Sequence, residues 1–174
     1  MLRVARTRCD DALKSNSSAM GTLPELSFNE FDALHPAKFP LVAPLLGTAD
    51  LVLSTLVLEH LPLSQFFRAV KGLLKPGPGY LVLTNMHADM GRRGQAGFVD
   101  EATGEKIRGD SYVYEVQEVL EEGRKWGFDL EGPVFERGVG EEDVGDGRLL
   151  GPRGKKWIGC MCWFGFVMKL ERRD

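Results

Sequence analysis

Three short segments carry the residues whose types and spacing could do acid–base or group-transfer chemistry. They are Asp32-Ala33, then Ser54-Thr55-Leu56 running to Glu59-His60, and then Asn85-Met86-His87. Each segment follows a stretch with the pattern of a β-strand, and open α/β sheets bind ligands at the carboxyl ends of their strands. An imidazole titrates near neutral pH, so His60 and His87 are the candidate bases. The three segments therefore predict a ligand site at one edge of a sheet.

The elements that would position these segments are two buried strands and the helix between them. Asp50 to Ser54 is an apolar run with almost no polar alternation, as expected of a strand covered on both faces, and Tyr80 to Asn85 is a second such run. Between them, one helical face carries the apolar residues Phe66, Phe67, Val70, Leu73 and Leu74. Lys75-Pro-Gly-Pro-Gly79 ends this helix. The three elements, joined by short turns, predict a right-handed βαβ unit.

Weaker patterns flank this unit on both sides. On the N-terminal side they predict the end of a helix over Met1 to Leu13, a short strand over Leu26 to Phe31, and at most one helical turn in the proline-rich stretch His35 to Thr48. On the C-terminal side they predict a hairpin around Ala102-Thr-Gly104, a helix ended by Gly127, a strand over Phe128 to Phe135, a mobile loop over Arg137 to Lys156, and a last strand over Trp157 to Leu170.

The composition is that of a folded protein. The 174 residues are 43% hydrophobic and 27% charged, and a chain of this length buries a core without disulfide staples. The net charge is −3, which gives no support to nucleic-acid binding through a basic field. No apolar run reaches the roughly 18 residues that a membrane span needs. We therefore expect neither a nucleic acid nor a membrane as a partner.

The cysteines and the N-terminus bear on location. Cys9, Cys160 and Cys162 supply neither the four ligands of a zinc ribbon nor an even disulfide set, so we expect reduced, packed thiols and no metal site. A cytoplasmic or nuclear location follows from this cysteine usage. The start MLRVARTR has three arginines, a feature of transit peptides, but Asp10 and Asp11 argue against that alternative.

One long segment resembles a known family. The stretch Ala49 to Pro62 (ADLVLSTLVLEHLP), followed by Leu73-Leu-Lys-Pro-Gly77 and Gly79 to Thr84 (GYLVLT), resembles the class I S-adenosylmethionine-dependent methyltransferases. It is similar to that family's fourth strand, the following helix and the fifth strand, and the helix before Gly127 and the closing strand pair fit as well. The resemblance covers nearly the whole chain. It implies an α/β Rossmann-like fold, a mostly parallel sheet that ends in an antiparallel C-terminal hairpin, and S-adenosyl-L-methionine as the cofactor.

The sequence departs from that family near its start. Upstream of Asp32 it has neither the family's glycine-rich loop nor the acid that follows the second strand, and Met1 to Arg6 resembles the helix after that acid. The resemblance therefore implies an N-terminally truncated domain. Pro78 also makes the turn after the helix one residue longer than the family's.

This truncation would leave strand edges without partners. The family's strand order is 3-2-1-4-5-7-6, so without strands one and two the Leu26 to Phe31 strand loses its neighbours and the Asp50 to Ser54 strand has an uncovered apolar edge. We expect about the first 45 residues to pack poorly or to re-pair against the Asp50 to Ser54 strand. Self-association through the unpaired edge is a further expectation.

The resemblance also implies a role for each candidate residue. Asp32 would accept a hydrogen bond from the adenine amino group, with the backbone of Ala33 nearby, and Ser54, Thr55 and Leu56 would lie beside the methionine part of the cofactor. Glu59, Asn85, Met86 and Tyr112 would lie on the acceptor side. His60 would act as the base, and His87 would position the acceptor or transfer a proton.

Each of these residues also has a purely structural interpretation. Asp32 could cap the end of a strand, and Ser54 with Thr55 could form a simple strand-to-loop turn. His60 could be a packing histidine at the start of a helix. Tyr112 and Tyr114 could staple the next helix rather than line a pocket.

Three functions from different classes remain open at this point. The first is methyl transfer to an unknown small-molecule or protein acceptor, impaired in this chain by the loss of the glycine-rich loop. The second is a non-catalytic interaction module that pairs through its exposed sheet edge. The third is another nucleotide-binding α/β protein such as a dehydrogenase, against which the missing GxGxxG motif and the aromatic closing hairpin argue.

The domain organisation expected from all of this is one partial domain over residues 1–174. Residues 1–48 would be a remnant helix, strand and proline-rich loop, and residues 49–85 the strand–helix–strand core. Residues 86–111 would form a loop that covers the strand ends as a lid. Residues 112–174 would supply the last helix and the C-terminal strand pair.

Overall fold

The computed structural model describes residues 2–16, 26–35, 38–94, 97–108 and 111–171. The chain divides into two compact units, Met1–Pro44 and Leu45–Asp174, and each is described by itself. In the part of the chain that is described, no helix is long and apolar enough to cross a bilayer.

The first unit contains helix α1 (Leu2–Asn16), which confirms the helix predicted at the N-terminus. The guanidinium of Arg6 lies 5.7 Å from the centre of the Phe28 ring. The strand predicted over Leu26 to Phe31 is wrong, because these residues have irregular backbone. A strand needs a partner for its N–H and C=O groups, and no described residue pairs with this segment. The segment LSFNEF alternates as a strand does, but no described strand lies beside it to accept and donate its backbone hydrogen bonds.

The second unit contains most of the regular structure. In chain order its elements are β1 (Leu51–Thr55), α2 (Leu63–Leu73), β2 (Gly79–Met86), α3 (Ala88–Arg93), β3 (Gly97–Val99), β4 (Lys106–Arg108), α4 (Val116–Lys125), β5 (Phe128–Gly138) and β6 (Met161–Leu170). The predicted βαβ unit and the predicted hairpin are both confirmed. The proline-rich stretch contains the short 3-10 helix Ala43–Leu45.

The main sheet is mixed. Its strand order is β1-β2-β6-β5, with β1 and β2 parallel and the other two pairs antiparallel. Read by position in the chain, this is the 4-5-7-6 half of the order that the resemblance implied. The α/β Rossmann-like fold with an antiparallel C-terminal strand pair is therefore confirmed.

The core lies where α2 and α4 pack on the sheet. The buried apolar side chains of these elements are Phe66, Phe67, Val70, Leu81, Leu83, Val119, Leu120, Phe128, Phe164, Phe166, Met168 and Leu170. The rings of Phe67 and Phe128 have centroids 5.7 Å apart, which joins α2 to β5. Gly127 adopts φ 89°, a left-handed conformation that glycine takes at little cost, and so ends α4 as predicted.

Strand β1 is covered on one face only, so the prediction of a strand buried on both faces is wrong. Ser54 is buried, whereas Leu51 and Leu53 on the opposite face are 52% and 65% exposed. An apolar run indicates that a strand is suited to burial. The strand is buried on both faces only where other elements pack against both of them. Within the described residues β1 is an edge strand of the sheet, so the predicted re-pairing of the N-terminal segment against it is not seen.

The C-terminal strands differ from their predicted bounds. Strand β5 continues to Gly138 through a register shift between Glu131 and Phe135, which accommodates the Gly-Pro pair that seemed to end it. Trp157 belongs to a 3-10 helix, Pro152–Trp157, and β6 begins only at Met161. The stretch predicted as a mobile loop contains this helix and a second 3-10 turn, Glu141–Asp143.

Candidate active site

A cavity of about 530 Å³ lies in the second unit at the carboxyl ends of β1 and β2. Its wall is formed by four residues that the sequence predicted as site residues and by six that it did not: Leu56, Glu59, His60 and Met86, and Met90, Gly94, Ser111, Lys156, Trp157 and Cys162. This is the edge of the sheet at which α/β proteins bind their ligands. The structure therefore brings the predicted Leu56 to His60 segment and the end of β2 to one site.

Leu56 leaves β1 with an unusual backbone. Its φ is 54°, and it is the one non-glycine residue with positive φ among the described residues. Its N–H donates to the carbonyl of Thr84 at 3.0 Å, which ties the conformation to β2. A left-handed leucine costs roughly 1–2 kcal/mol, and such strain concentrates at functional sites. The turn leads the chain from the end of β1 to the residues Glu59 and His60, which line the cavity.

Glu59 lies in the 3-10 helix Leu58–His60 that follows this turn. The residue is only 8% exposed, and its Oε2 has no hydrogen-bond partner. The Nε2 of His60 lies 3.8 Å from Glu59 Oε1, beyond hydrogen-bond distance. The backbone carbonyl of Glu59 accepts from the N–H of Tyr112 at 2.8 Å. The structure thus fixes the Glu59 backbone while leaving Oε2 of its carboxylate without a hydrogen-bond partner.

Two more buried polar atoms near the strand ends have no partner. They are Ser54 Oγ on β1 and Asn85 Oδ1 on β2, in residues that are 7% and 4% exposed. Thr55 differs, because its Oγ1 accepts from Thr84 Oγ1 at 3.1 Å. Buried polar groups are nearly always paired, so three unpaired atoms at one edge of the sheet are typical of a site that pairs them with a ligand.

His87 follows Met86 but does not lie on the described cavity wall. Its Nδ1 accepts from the N–H of Asp89 at 3.1 Å and so caps α3, and its Nε2 donates to Glu136 Oε1 at 3.0 Å. Both ring nitrogens are therefore engaged in holding α3 against β5. A role for His87 in proton transfer stays a prediction.

Tyr112 also lies outside the described wall of the cavity. Its ring stacks on that of Tyr114, with centroids 5.6 Å apart and an angle of 5° between the planes. The Tyr114 hydroxyl donates to the carbonyl of Leu61 at 3.0 Å, and burial raises the pKa of this phenol. The stacked pair holds the segment before α4 against the 3-10 helix that carries Glu59. An acceptor-side role for Tyr112 stays a prediction.

Asp32 and Ala33 belong to the first unit. The Asp32 carboxylate accepts from the N–H of Leu34 at 2.8 Å and pairs with Nδ1 of His35 at 2.8 Å. The hydrogen bond from His35 is the largest cause that holds the pKa of Asp32 below its ordinary value. These contacts are those of a local turn, and the adenine-binding role of the two residues stays a prediction.

Sequence reasoning missed the wall that lies opposite β1. Lys156 and Trp157 come from the segment before β6, with Lys156 Nζ 4.8 Å from the centre of the Trp157 ring. Cys162 lies near the start of β6, where its carbonyl accepts from the His87 N–H at 3.0 Å. Burial raises the pKa of the Cys162 thiol to about 11, so it stays protonated at neutral pH. No local sequence signal marks these residues, because only the pairing of β6 with β2 brings them to the site.

The cavity continues toward a second space of about 270 Å³. The two share Met90, Trp157 and Cys162 as a common wall. Arg137 and Asp143 line the second space, and their side chains form an ion pair at 2.8 Å. Within the described residues, no group of His, Cys, Asp and Glu side chains is arranged to hold a metal ion.

Comparison with known proteins supports the assignment of the fold. No protein-family model matches the chain. A SAM-dependent methyltransferase from Methanosarcina mazei superposes with a TM-score of 0.62 at 16% identity, over 99% of this chain and 78% of that one. A putative S-adenosylmethionine-dependent methyltransferase from Listeria monocytogenes gives 0.55 at 15% identity, over 92% and 76%. The chain has the class I methyltransferase fold.

A curated relative points the same way. An uncharacterised methyltransferase of Emericella nidulans is 45% identical over 155 residues, which are 84% of this chain and 53% of the relative. The chain therefore spans about half the length of the curated relative that it matches. The methyltransferase fold implies S-adenosyl-L-methionine as the cofactor.

The residues at the strand ends of this methyltransferase fold suit such a group. Ser54 Oγ and Asn85 Oδ1 are buried polar atoms in need of partners, and Leu56 and Met86 offer apolar surface beside them. A ligand with polar ends and an aliphatic middle would satisfy both kinds of surface.

Proposed function

We propose that this chain forms the acceptor-side part of an S-adenosylmethionine-dependent methyltransferase that acts on a small-molecule or protein acceptor. The observation that carries the proposal is the cavity at the carboxyl ends of β1 and β2, which Glu59 lines. Buried polar atoms without partners, Ser54 Oγ and Asn85 Oδ1, lie in the same two strands. The methyltransferase fold of the relatives supports the same conclusion.

The cofactor, when bound, supplies an electrophilic methyl group on a sulfonium. Ser54, Thr55 and Leu56 would hold its methionine end. Glu59, Asn85, Met86 and Tyr112 would orient the acceptor, with His60 taking up a proton. His60 suits that task because its side chain is 61% exposed and can pass the proton to water.

Positioning and exclusion of water supply much of the rate in a methyl transfer. The wall residues Met86, Met90 and Trp157 are partly buried and apolar, and they leave a space large enough for a small acceptor or for one side chain of a protein. In such a site the orientation of the acceptor matters more than a strong base.

Calorimetric titration with S-adenosylmethionine tests the proposal. We expect the full-length Emericella relative to bind, and the 174-residue chain to bind more weakly, since its sequence has no glycine-rich loop. Ser54→Ala should weaken binding to the chain further, whereas Glu131→Gln, at an exposed position of β5, should leave it unchanged. Absence of binding by both proteins would refute methyl transfer as the function.

A second candidate function rests on a different observation. Leu51 and Leu53 are more than half exposed on an edge strand, and unpaired apolar edges favour pairing with another chain. This supports a role in which β1 pairs with β1 of a second copy. The protein would then act through association rather than catalysis.

Sedimentation equilibrium over a range of concentrations tests this alternative. We expect a size that grows with concentration, and Leu53→Lys should return the protein to a monomer. Leu149→Lys, at a residue that is 72% exposed but lies outside the sheet, is the matched control. A monomer at every concentration would exclude the interaction module.

A further inference from the structure

Glu59 places a carboxyl group in the wall of the cavity with few charged neighbours. The residue is 8% exposed, Oε2 has no partner, and His60 Nε2 is 3.8 Å from Oε1. Lys156 is the one lysine or arginine on the described wall, and its Nζ lies over the Trp157 ring. Burying a carboxylate is costly unless it is paired and hydrogen-bonded. The missing partner is therefore a hydrogen-bond donor that carries positive charge.

The rest of the wall suits the body of such a ligand. Leu56, Met86, Met90, Trp157 and Cys162 present apolar, aromatic and sulfur-bearing surface. The Cys162 thiol is protonated at neutral pH and so adds no second charge. Aromatic faces attract cations, and methionine fits apolar groups of varied shape.

From this juxtaposition we infer that the cavity takes an amine as the methyl acceptor, with the Glu59 carboxylate accepting a hydrogen bond from the amine nitrogen. The inference rests on the proposed methyl transfer and names its substrate class. It makes Glu59 the residue that selects nitrogen over oxygen acceptors.

The charge changes during transfer favour nitrogen at this position. The amine binds as an ammonium ion and would first give one proton to His60, so that its lone pair can form the new N–C bond. The electron pair of the broken C–S bond would stay on sulfur as a neutral thioether, and the positive charge would pass to the nitrogen. The Glu59 carboxylate would stabilise the charge as it develops on nitrogen. A hydroxyl acceptor would end as a neutral ether, which leaves the carboxylate unpaired again.

Binding of two probes with the same ring tests the inference without any cofactor. Benzylamine is protonated at neutral pH, and benzyl alcohol is neutral and of nearly equal size. In calorimetric titrations of the 174-residue chain we expect benzylamine to bind at least about tenfold more tightly, as a charge-assisted hydrogen bond predicts. Glu59→Gln should weaken benzylamine binding by about 10- to 100-fold and leave benzyl alcohol within about twofold. Glu131→Gln should change neither.

Thermal unfolding separates a ligand-binding role of Glu59 from a structural one. If Glu59 serves to bind a ligand and does not stabilise the fold, Glu59→Gln removes a poorly paired buried carboxylate and should raise the melting temperature. A variant that melts below the parent chain would mark Glu59 as a structural residue and overturn the inference. So would equal binding of the two probes, failure of both to bind, or a preference for benzylamine that survives in Glu59→Gln.

The outcome is separable from that of the proposed function. Because the probes need no S-adenosylmethionine, a chain that binds benzylamine through Glu59 keeps the amine site even if cofactor binding fails. Conversely, methyl transfer by the full-length relative to benzyl alcohol but not to benzylamine would retain methyl transfer as the function and overturn the amine assignment.

Discussion

His87 joins helix α3 to strand β5 through Glu136. Its Nδ1 accepts from the Asp89 N–H at 3.1 Å, so the ring proton is on Nε2, which donates to Glu136 Oε1 at 3.0 Å. The side chain is 12% exposed, and its own backbone N–H donates to Cys162 on β6. Three elements around the cavity are therefore held together by one residue.

Replacing His87 should destabilise the protein. We expect His87→Ala to lower the free energy of unfolding by about 1–2 kcal/mol, because it removes a helix cap and a hydrogen bond to a carboxylate. His87→Asn keeps an acceptor for the cap and should recover part of this loss. Urea denaturation measures both, with the exposed His60→Asn as the control. Equal stability of His87→Ala and the parent chain would contradict the capping role.

The left-handed turn at Leu56 predicts a dependence on side-chain shape. Leu56→Val should cost about 1 kcal/mol of unfolding free energy, because a β-branched residue tolerates φ 54° poorly. Leu56→Gly should change the stability by less than about 1 kcal/mol, since relief of strain and the entropy cost of glycine oppose each other. Chemical denaturation of the two variants provides the test, and a Val variant as stable as the Gly variant would show that the turn is unstrained.

Alanine substitutions at two helical glycines should change the stability of the protein in opposite directions. A Cβ on Gly123 in α4 would lie 2.6 Å from Met168 Cε and 3.1 Å from Phe67 Cζ, so Gly123→Ala should lose about 1–3 kcal/mol of stability. A Cβ on Gly72 in α2 would meet nothing within 4 Å. Gly72→Ala should therefore gain about 0.5–1 kcal/mol. Melting temperatures that move the same way in both variants would contradict the packing of α4 on the sheet.

The lowered pKa of Asp143 predicts that the protein loses stability in acid. The Gly140 N–H at 3.1 Å is the largest cause that holds its pKa below the ordinary value, followed by Arg137 at 2.8 Å. Because the pKa is lower in the folded than in the unfolded chain, the stabilisation is complete above about pH 4 and is lost as the pH falls further. Asp143→Asn should flatten this part of the curve of unfolding free energy against pH. An unchanged slope in the variant would show that the pair contributes nothing.

The elements predicted best are those whose signal is local. The apolar stripe over Phe66 to Leu74 and the glycine at position 127 specify where α2 and α4 lie and where α4 ends, because helical hydrogen bonds are made within the segment. The Leu26 to Phe31 strand was predicted wrongly for the opposite reason. Its alternation of polar and apolar residues is regular, but the hydrogen bonds of a strand are made to a neighbouring strand. No described residue pairs with this segment.

The residues of the candidate site were likewise predicted where their signal is local and missed where it is not. Leu56, Glu59, His60 and Met86 were predicted because they follow apolar runs, and strand ends lie where ligands bind. Trp157 and Cys162 stand far from them in the sequence and carry no motif. The prediction that β1 is buried on both faces failed at Leu51 and Leu53, because composition does not say whether a second layer is present.

The sequence by itself determined the βαβ unit, the closing strand pair and the residues that come after β1 and β2, because periodicity and turn residues act over a few positions. Only the tertiary structure decided that His87 is held by Asp89 and Glu136, that Glu59 Oε2 is buried without a hydrogen-bond partner, and that β6 brings Cys162 to the end of β2. These facts depend on which distant segments meet, and burial and hydrogen bonding arise only where they do.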